Sequence, residues 1–291
     1  MASIVLSNVP GYFLQDDANT NALRFDYTST DFGLKKIKYD SPADAPKYPK
    51  STQWQRFENE LTRLNGLGEG SYKTLFLARH GQGFHNVKEA RSGTLEWQSH
   101  WAHLDGDGST RWDDALLTEL GTAQAGRAHQ FWADQMRLQH MLPPQKYYTS
   151  PHRRCLQTAR ITFGGLSLPA DRPFVPEIRG ALRETYGIHT CDRLSTREVI
   201  RAMEPEWKIA DDVTEKDELW APDWRENEIA ITLRFKKALE KLWAEDSCTS
   251  ISLTLHSGAI AAILRVIGHR PFPLITGEVI PVLVRGVTQT V

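Results

Sequence analysis

Three short apolar runs, each ending in a polar or glycine-rich turn and separated by helical segments, constrain the fold of this chain most strongly. They span residues 72–78, 146–149 and 250–255, and their aromatic and apolar content predicts buried strands. Between them, Thr118 is placed to cap a helix with apolar residues at helical spacing, and residues 231–242 repeat that spacing. Strands alternating with helices predict an α/β fold, with three α/β/α layers and a mostly parallel central sheet.

Two stretches depart from this alternation. Residues 1–71 are rich in Asp, Asn, Ser, Pro and Lys, and we interpret them as an N-terminal arm packed on the core, with disorder as the alternative. The arm carries more apolar anchors than a disordered tail usually does, namely Phe13, Phe25, Tyr27, Trp54 and Phe57. Residues 72–291 would then form the main domain, with the irregular, charged residues 188–226 inserted as a cap.

The charges of the chain nearly cancel, which limits the classes of partner. With 35 Lys and Arg against 36 Asp and Glu, the formal net charge is -1, so no broad positive field favours nucleic acid or an anionic membrane. No apolar run approaches the ~20 residues that span a bilayer, and residues 1–13 lack the basic start of a signal peptide. We therefore expect a cytoplasmic protein whose partner is a small molecule, and the sequence leaves the oligomeric state open.

The cysteines predict neither disulfides nor a metal site. Cys155, Cys191 and Cys248 are widely spaced, and none belongs to a CxxC pair. His189, Cys191 and Asp192 lie close together along the chain, but such spacing in a cysteine-poor loop is usually incidental. We expect no metal and no cofactor.

The turns that follow the three predicted strands carry histidines and arginines. Arg79 and His80 follow the first strand, Arg153 and Arg154 come shortly after the second, and His256 follows the third. Because ligands bind at the carboxyl edge of a parallel sheet, we expect these side chains to converge there. A neutral imidazole is a competent nucleophile, and guanidinium groups bind phosphate oxygens in bidentate fashion. The pattern predicts a phosphoryl-transfer site.

Five motifs extend this pattern over about residues 72–268. The motif RHGxxxxN is matched by Arg79, His80, Gly81 and Asn86, and DxxLTxxGxxQA is matched by Asp114, Leu117, Thr118, Gly121, Gln124 and Ala125. The motif SPxxRxxQTA is matched by Ser150, Pro151, Arg154, Gln157, Thr158 and Ala159. The motif LxE with a glycine soon after is matched by Leu182, Glu184 and Gly187, and the second-histidine element by His256 and Gly258. In these motifs the chain resembles the histidine phosphatase superfamily, the phosphoglycerate-mutase-like enzymes. Its long N-terminal arm and residues 187–193, Gly-Ile-His-Thr-Cys-Asp-Arg, most resemble the fungal phosphomutase-like branch of that family.

The resemblance implies a role for each matched side chain. His80 would accept the phosphoryl group, and Glu184 would donate a proton to the leaving group. His256 would take part in catalysis beside them. The transferring group would be bound by Arg79, Asn86, Arg154 and His256. The acid phosphatase branch of the family has Asp after the second histidine, whereas Ser257 stands there in this chain, so the resemblance assigns the proton donor to Glu184.

Departures from the family pattern favour hydrolysis over phosphate exchange. In mutases the catalytic acid is followed by Arg-His-Tyr-Gly, whereas residues 184–187 of this chain are Glu-Thr-Tyr-Gly. The additional cations that hold phosphoglycerate in mutases are not evident in this sequence. His152 replaces the commoner Leu of the arginine motif. We expect a phosphatase that hydrolyses a small-molecule phosphomonoester through a phosphohistidine. The alternatives are a phosphomutase of the phosphoglycerate mutase type, a non-catalytic protein that binds a phosphorylated ligand, and an enzyme of acid–base chemistry on an unphosphorylated metabolite.

Tryptophans in two segments that follow site motifs predict the walls of a substrate pocket. They are Trp97, Trp101, Trp207, Trp220 and Trp224. Flat apolar walls would suit an aryl, nucleoside or prenyl group better than a compact polyanion. The alternative is that these rings pack the cap onto the domain.

Overall fold

A mixed β-sheet of seven strands lies at the centre of the part of the protein that the computed structural model describes, residues 3–40 and 51–289. The strands are β1 (Ser3–Asn8), β2 (Ser71–Arg79), β3 (Lys146–Thr149), β4 (Glu177–Ile178), β5 (Lys208–Ile209), β6 (Ser250–Leu255) and β7 (Val279–Gln289). Their order across the sheet is β1-β7-β2-β6-β3-β4-β5. Strands β2, β6, β3, β4 and β5 are parallel, and β7 is antiparallel to both of its neighbours. The predicted α/β fold with a mostly parallel sheet is confirmed.

The three strands predicted from apolar runs, β2, β3 and β6, are neighbours in the sheet. β2 and β6 pair up to Arg79 and Leu255, and β6 and β3 pair up to Thr254 and Thr149. Residues 72–78 are all buried, as expected of a strand that is covered on both faces. This register brings the carboxyl ends of the three strands side by side.

Eight α-helices flank the sheet within the described ranges. They are α1 (Gln53–Gly66), α2 (Phe84–Ser92), α3 (Thr94–Ser99), α4 (Glu119–Leu138), α5 (Arg153–Phe163), α6 (Arg197–Met203), α7 (Glu228–Glu245) and α8 (Ser257–Val266). Thr118 caps α4 as predicted, its hydroxyl accepting the Gly121 N–H at 3.1 Å. A Cβ at Gly121 would clash with the Gln82 carbonyl oxygen, so glycine allows α4 to begin close to the loop after β2. None of the described helices combines the length and the apolar character needed to cross a membrane.

The described part of the predicted N-terminal arm both packs on the sheet and extends it. β1 pairs with β7 along its whole length, and the side-chain amide of Gln15 donates to a carbonyl oxygen of β7 at 2.5 Å. The ring of Phe32 is fully buried, with its centroid 5.6 Å from that of Phe76 on β2 and 4.9 Å from that of Trp132 on α4. Residues 1–2 and 41–50 of the predicted arm, and 290–291 of the predicted main domain, lie outside the described residues.

Residues 188–226, predicted as an inserted cap, also contribute to the sheet. They contain α6 and the edge strand β5, which pairs with β4. Trp207, just before β5, packs in a small apolar cluster with Ile178 and Ile200. Its ring centroid lies 5.5 Å from that of Phe174. The packing of this tryptophan joins the edge of the sheet to α6.

Candidate active site

The carboxyl ends of β2, β3 and β6 bring the predicted histidines and arginine together. His80 follows β2, Arg154 lies in the first turn of α5 after β3, and His256 follows β6. The ring centroids of His80 and His256 are 5.1 Å apart. The side chain of Arg154 reaches His256, with 3.3 Å between Arg154 Nε and His256 Nδ1.

The imidazole of His80 is held in one tautomer. Its Nδ1 lies 2.7 Å from the Gly81 carbonyl oxygen, which can only accept, so Nδ1 carries the proton and Nε2 keeps its lone pair. Burial, with the positive charges of Arg154 and Arg79, holds the pKa of His80 well below its ordinary value. The ring is therefore neutral near pH 7, and Nε2 is the ring atom with a free lone pair.

Arg154 is the most constrained cation of the site, with only 1% of its surface exposed. It donates from Nη1 to the Cys191 carbonyl oxygen at 2.7 Å and from Nη2 to Asp192 Oδ1 at 3.3 Å. Because a guanidinium can only donate, the Nδ1 of His256 accepts from Arg154, and the protonated Nε2 donates to Ser150 Oγ at 2.7 Å. These contacts fix the planar fork of Arg154 at the strand ends.

Replacing Arg154 by Lys is expected to lower kcat/KM about 30- to 150-fold, a loss of roughly 2–3 kcal/mol in transition-state stabilisation. Lysine keeps the charge but loses the planar fork, whose two remaining Nη–H groups would donate to two phosphoryl oxygens. Steady-state kinetics with an aryl phosphate measure the effect, and Arg160→Lys is the matched control, since Arg160 lies on the same helix and pairs with Glu204. Wild-type kcat/KM in Arg154→Lys would contradict the bidentate role.

Arg79 and Asn86 have polar groups left for a ligand. Arg79 donates from Nη1 to the Leu274 carbonyl oxygen at 2.6 Å, while its buried Nε has no hydrogen-bond partner among the described residues. Asn86 Oδ1 accepts the Gly83 N–H at 3.0 Å at the start of α2, so its amide nitrogen is the group that would donate to a phosphoryl oxygen. A buried guanidinium N–H without a partner suits an anionic ligand.

Glu184 is half-buried and is anchored to the turn that follows β6. Its Oε2 accepts the Gly258 N–H at 2.9 Å, and its Oε1 accepts the Thr185 N–H at 3.0 Å. A Cβ at Gly258 would clash with the Glu184 carboxylate, so this glycine makes room for the acid. The predicted proton donor is thus fixed by the first turn of α8, directly after His256.

Two buried histidines join the site without having been assigned to it by the sequence. His85, on α2, has its ring centroid 5.5 Å from that of His80. His152 lies before α5 with its ring centroid 5.1 Å from that of His256, and its Nδ1 is 3.0 Å from Asp114 Oδ1. The departure from the commoner Leu at position 152 was the available signal for His152, whereas nothing in the sequence distinguished His85.

Two of the predicted wall residues, Trp97 and Trp101, lie in an aromatic cluster with Trp112. Trp97 is buried, with its ring centroid 6.0 Å from that of Trp112 and 6.1 Å from that of His189. Trp101 and Trp112 line a cavity of about 660 Å³ that also reaches Gln82, two residues after His80. The cluster therefore borders the loop after β2.

Trp220 and Trp224 lie on a stretch of chain that packs against the residues following Glu184. Trp220 Nε1 donates to the His189 carbonyl oxygen at 2.8 Å, and the Ile188 N–H donates to the Ala221 carbonyl oxygen at 2.7 Å. Trp224 is 49% exposed. The structure thus places these two tryptophans near the residues that follow Glu184, while Trp207 lies in the packed cluster at β5.

His189, Cys191 and Asp192 do come together, with their ligand atoms within 4.8 Å of one another. However, the carboxylate of Asp192 lies 3.3 Å from Arg154 and 3.4 Å from Arg225. Two guanidinium groups beside this carboxylate oppose the approach of a further cation, so we assign the cluster to the support of Arg154.

The comparison with known proteins agrees with the motifs. A model of the histidine phosphatase superfamily (branch 1) matches residues 75–276. The chain belongs to the histidine phosphatase superfamily. This superfamily member is 48% identical over 290 residues to a probable phosphoglycerate mutase of Arthroderma benhamiae, covering 99% of this chain and 86% of that protein. It is 33% identical over 304 residues to a probable phosphoglycerate mutase of Saccharomyces cerevisiae, covering 98% and 97% of the two chains. Among solved structures, a phosphoglycerate mutase from Bacillus anthracis is similar, with a TM-score of 0.48 and 18% sequence identity. The match covers 77% of this chain and 94% of the Bacillus anthracis chain.

Proposed function

We propose that this protein is a phosphatase that hydrolyses a small-molecule phosphomonoester through a phosphohistidine intermediate. The observation that supports this most directly is the state of His80, whose neutral ring has Nε2 unprotonated and is influenced by the charges of Arg154 and Arg79. A nucleophile of this kind near two guanidinium groups is suited to attack on phosphorus.

The reaction takes place in two displacements at phosphorus. In the first, His80 Nε2 forms a bond to phosphorus while the ester P–O bond breaks, and Glu184 gives its proton to the departing oxygen. In the second, Glu184 takes a proton from water as the water oxygen bonds to phosphorus and the P–N bond breaks, releasing inorganic phosphate. Arg79 and Arg154 stabilise the charge on the equatorial oxygens in both steps.

The turn after Glu184 supports hydrolysis over phosphate exchange. In mutases the acid is followed by Arg-His-Tyr-Gly, whereas Thr185, Tyr186 and Gly187 follow Glu184 here. The turn therefore lacks the cations that would hold a second anionic group such as the carboxylate of phosphoglycerate. The names of the fungal relatives favour the alternative, a phosphomutase of the phosphoglycerate mutase type.

A substrate panel separates these activities. The protein is incubated in H₂¹⁸O with p-nitrophenyl phosphate, with alkyl and nucleoside phosphates, and with 3-phosphoglycerate plus 2,3-bisphosphoglycerate. We expect ¹⁸O in the released inorganic phosphate and a phosphoenzyme that is labile to acid and stable to alkali. Formation of 2-phosphoglycerate faster than phosphate release would assign the mutase activity. Binding of phosphate esters without turnover would assign a non-catalytic role, and turnover of unphosphorylated metabolites alone would assign acid–base chemistry.

We also propose that Trp224 forms part of the wall that contacts the leaving group. The substitution Trp224→Leu is expected to lower kcat/KM for a naphthyl phosphate about 3- to 10-fold more than for a small alkyl phosphate, since an aromatic pair contributes about 0.5–1.5 kcal/mol. Trp207→Leu is the matched control, because Trp207 packs at β5 and its replacement is expected to lower Tm without changing that ratio. Parallel losses on both esters in Trp224→Leu would mean that the ring only packs.

A further inference from the structure

Asp114 and His152 form a buried pair that the phosphatase mechanism does not use. His152 Nδ1 lies 3.0 Å from Asp114 Oδ1, and both side chains are at most 5% exposed. Burial raises the pKa of Asp114, but the hydrogen bond from His152 and the charge of Arg154 outweigh burial and lower that pKa to about 2. The Asp114 carboxylate is therefore ionised and can only accept. His152 Nδ1 therefore carries a proton. Burial and the charge of Arg154 lower the pKa of His152, so the ring is neutral near pH 7 and Nε2 keeps its lone pair.

The Nε2 of His152 is buried and has no hydrogen-bond partner within the described parts of the chain. Leaving such an acceptor unpaired costs about 1–3 kcal/mol, which the commoner Leu at this position would avoid. The ring of His152 instead meets that of His256, with centroids 5.1 Å apart and planes at 87°. The ring of His256 lies in turn 5.1 Å from that of His80. A continuous row of contacts thus runs from Asp114 to the nucleophile.

Asp114 is itself held by two other segments of the chain. Besides His152, its carboxylate accepts the Arg153 N–H at 3.1 Å and the Ser195 N–H at 3.1 Å. Its backbone has φ +40, a conformation that non-glycine residues rarely adopt and that costs free energy. The residue therefore connects the start of α5, which carries Arg154, to the segment that contains Asp192.

We propose that Asp114 and His152 are positioning residues for the phosphoryl site: Asp114 fixes the tautomer and plane of the His152 ring, and that ring fixes the orientation of His256 beside Arg154. The proposal rests on the proposed function for its kinetic consequence. With His256 held, its Nε2–H stays on Ser150 Oγ and its Nδ1 edge stays beside Arg154. The charged and titratable groups that act on His152 are Arg154, Asp114 and Arg183.

The test compares His152→Leu, His152→Gln and Asp114→Asn with the wild type, using p-nitrophenyl phosphate, vanadate, inorganic phosphate and thermal unfolding. We expect kcat to fall about 10- to 100-fold in each variant with little change in KM, since small misplacements of site groups have effects of this size. Vanadate, which mimics five-coordinate phosphorus, should lose affinity more than phosphate does. His152→Gln retains a donor for Asp114 and is expected to keep a Tm close to the wild type without recovering kcat.

A spectroscopic measurement reports the orientation of His256 without turnover. In ¹⁵N-histidine-labelled protein, the His256 signals, assigned by their loss in His256→Gln, should show the Nε2–H tautomer in the wild type and a mixture in His152→Leu. In the combined variant of Asp114→Asn and His152→Leu, the loss in kcat should be no larger than in the worse single variant, because the two residues act as one unit.

Two results would overturn the positioning role. The first is a wild-type kcat together with an unchanged His256 tautomer in His152→Leu. The second is recovery of both Tm and kcat in His152→Gln, which would mean that the pair only stabilises the fold. If the wild type hydrolyses none of the esters, the proposed function is wrong. The His256 tautomer in the variants still decides the positioning claim in that case.

Discussion

The substitution His80→Ala is expected to reduce turnover of every phosphate ester by at least about four orders of magnitude, because it removes the proposed nucleophile. Binding of inorganic phosphate should weaken far less, since the guanidinium groups of Arg79 and Arg154 remain. Rapid quench with ³²P-labelled substrate measures the covalent species directly, and the labelled phosphoenzyme should be absent from the variant.

The matched control for this substitution is His129→Ala, which removes a half-buried histidine of α4 that bonds the Thr162 carbonyl oxygen. That variant should form the phosphoenzyme at the wild-type rate. Full activity in His80→Ala, or a phosphoenzyme of unchanged amount, would show that another residue is the nucleophile.

The substitution Glu184→Gln is expected to separate substrates by their leaving groups. For an alkyl phosphate, whose alkoxide must be protonated as it departs, kcat should fall about 10²- to 10⁴-fold, the usual contribution of a general acid. For p-nitrophenyl phosphate, whose leaving group is stable as an anion, the fall should be less than about 10-fold. Steady-state kinetics on the two esters with the same enzyme preparation provide the measurement.

The difference between the two esters is the internal control, because a misfolded or displaced site would slow both of them. The amide of Gln cannot accept from both the Gly258 and the Thr185 N–H groups as the Glu184 carboxylate does, so some loss on both esters is expected. Equal losses of the full size would mean that Glu184 supports the fold of the site and is not the proton donor.

The strands that could be predicted are those whose burial leaves a mark in the local sequence. β2, β3 and β6 are apolar runs that end in turns, and their parallel pairing follows from the helices between them. β4 and β5 have two residues each, too few for any periodicity. β7 was not predicted, and it contains Pro281, a residue that usually argues against an interior strand. β4, β5 and β7 are strands because they pair with strands that are distant in the sequence, so their own residues do not predict them.

The candidate site divides in the same way. His80, Arg154 and His256 could be predicted because each follows a strand whose end could be recognised. Glu184 was assigned only by the resemblance to the family motif, since the short strand before it, β4, leaves no local signal. The contact between His152 and Asp114 joins residues 38 positions apart, so it depends on how α5 meets the loop before α4. The packing of Trp207 likewise depends on β5, whose place at the edge of the sheet the sequence does not reveal.

The place of β7 has a consequence for the order in which the protein can assemble during its synthesis. β7 is the last described strand to leave the ribosome, yet it lies between β1, the first strand made, and β2. At about 5–20 residues per second, roughly 15–55 s separate the synthesis of Asn8 from that of Val279. Throughout that time β1 has no partner and one edge of β2 is unpaired, a surface on which nascent chains can associate wrongly. A chain that stops before residue 279 would keep that edge open permanently, so incomplete translation products of this protein should be substrates for chaperones and proteases.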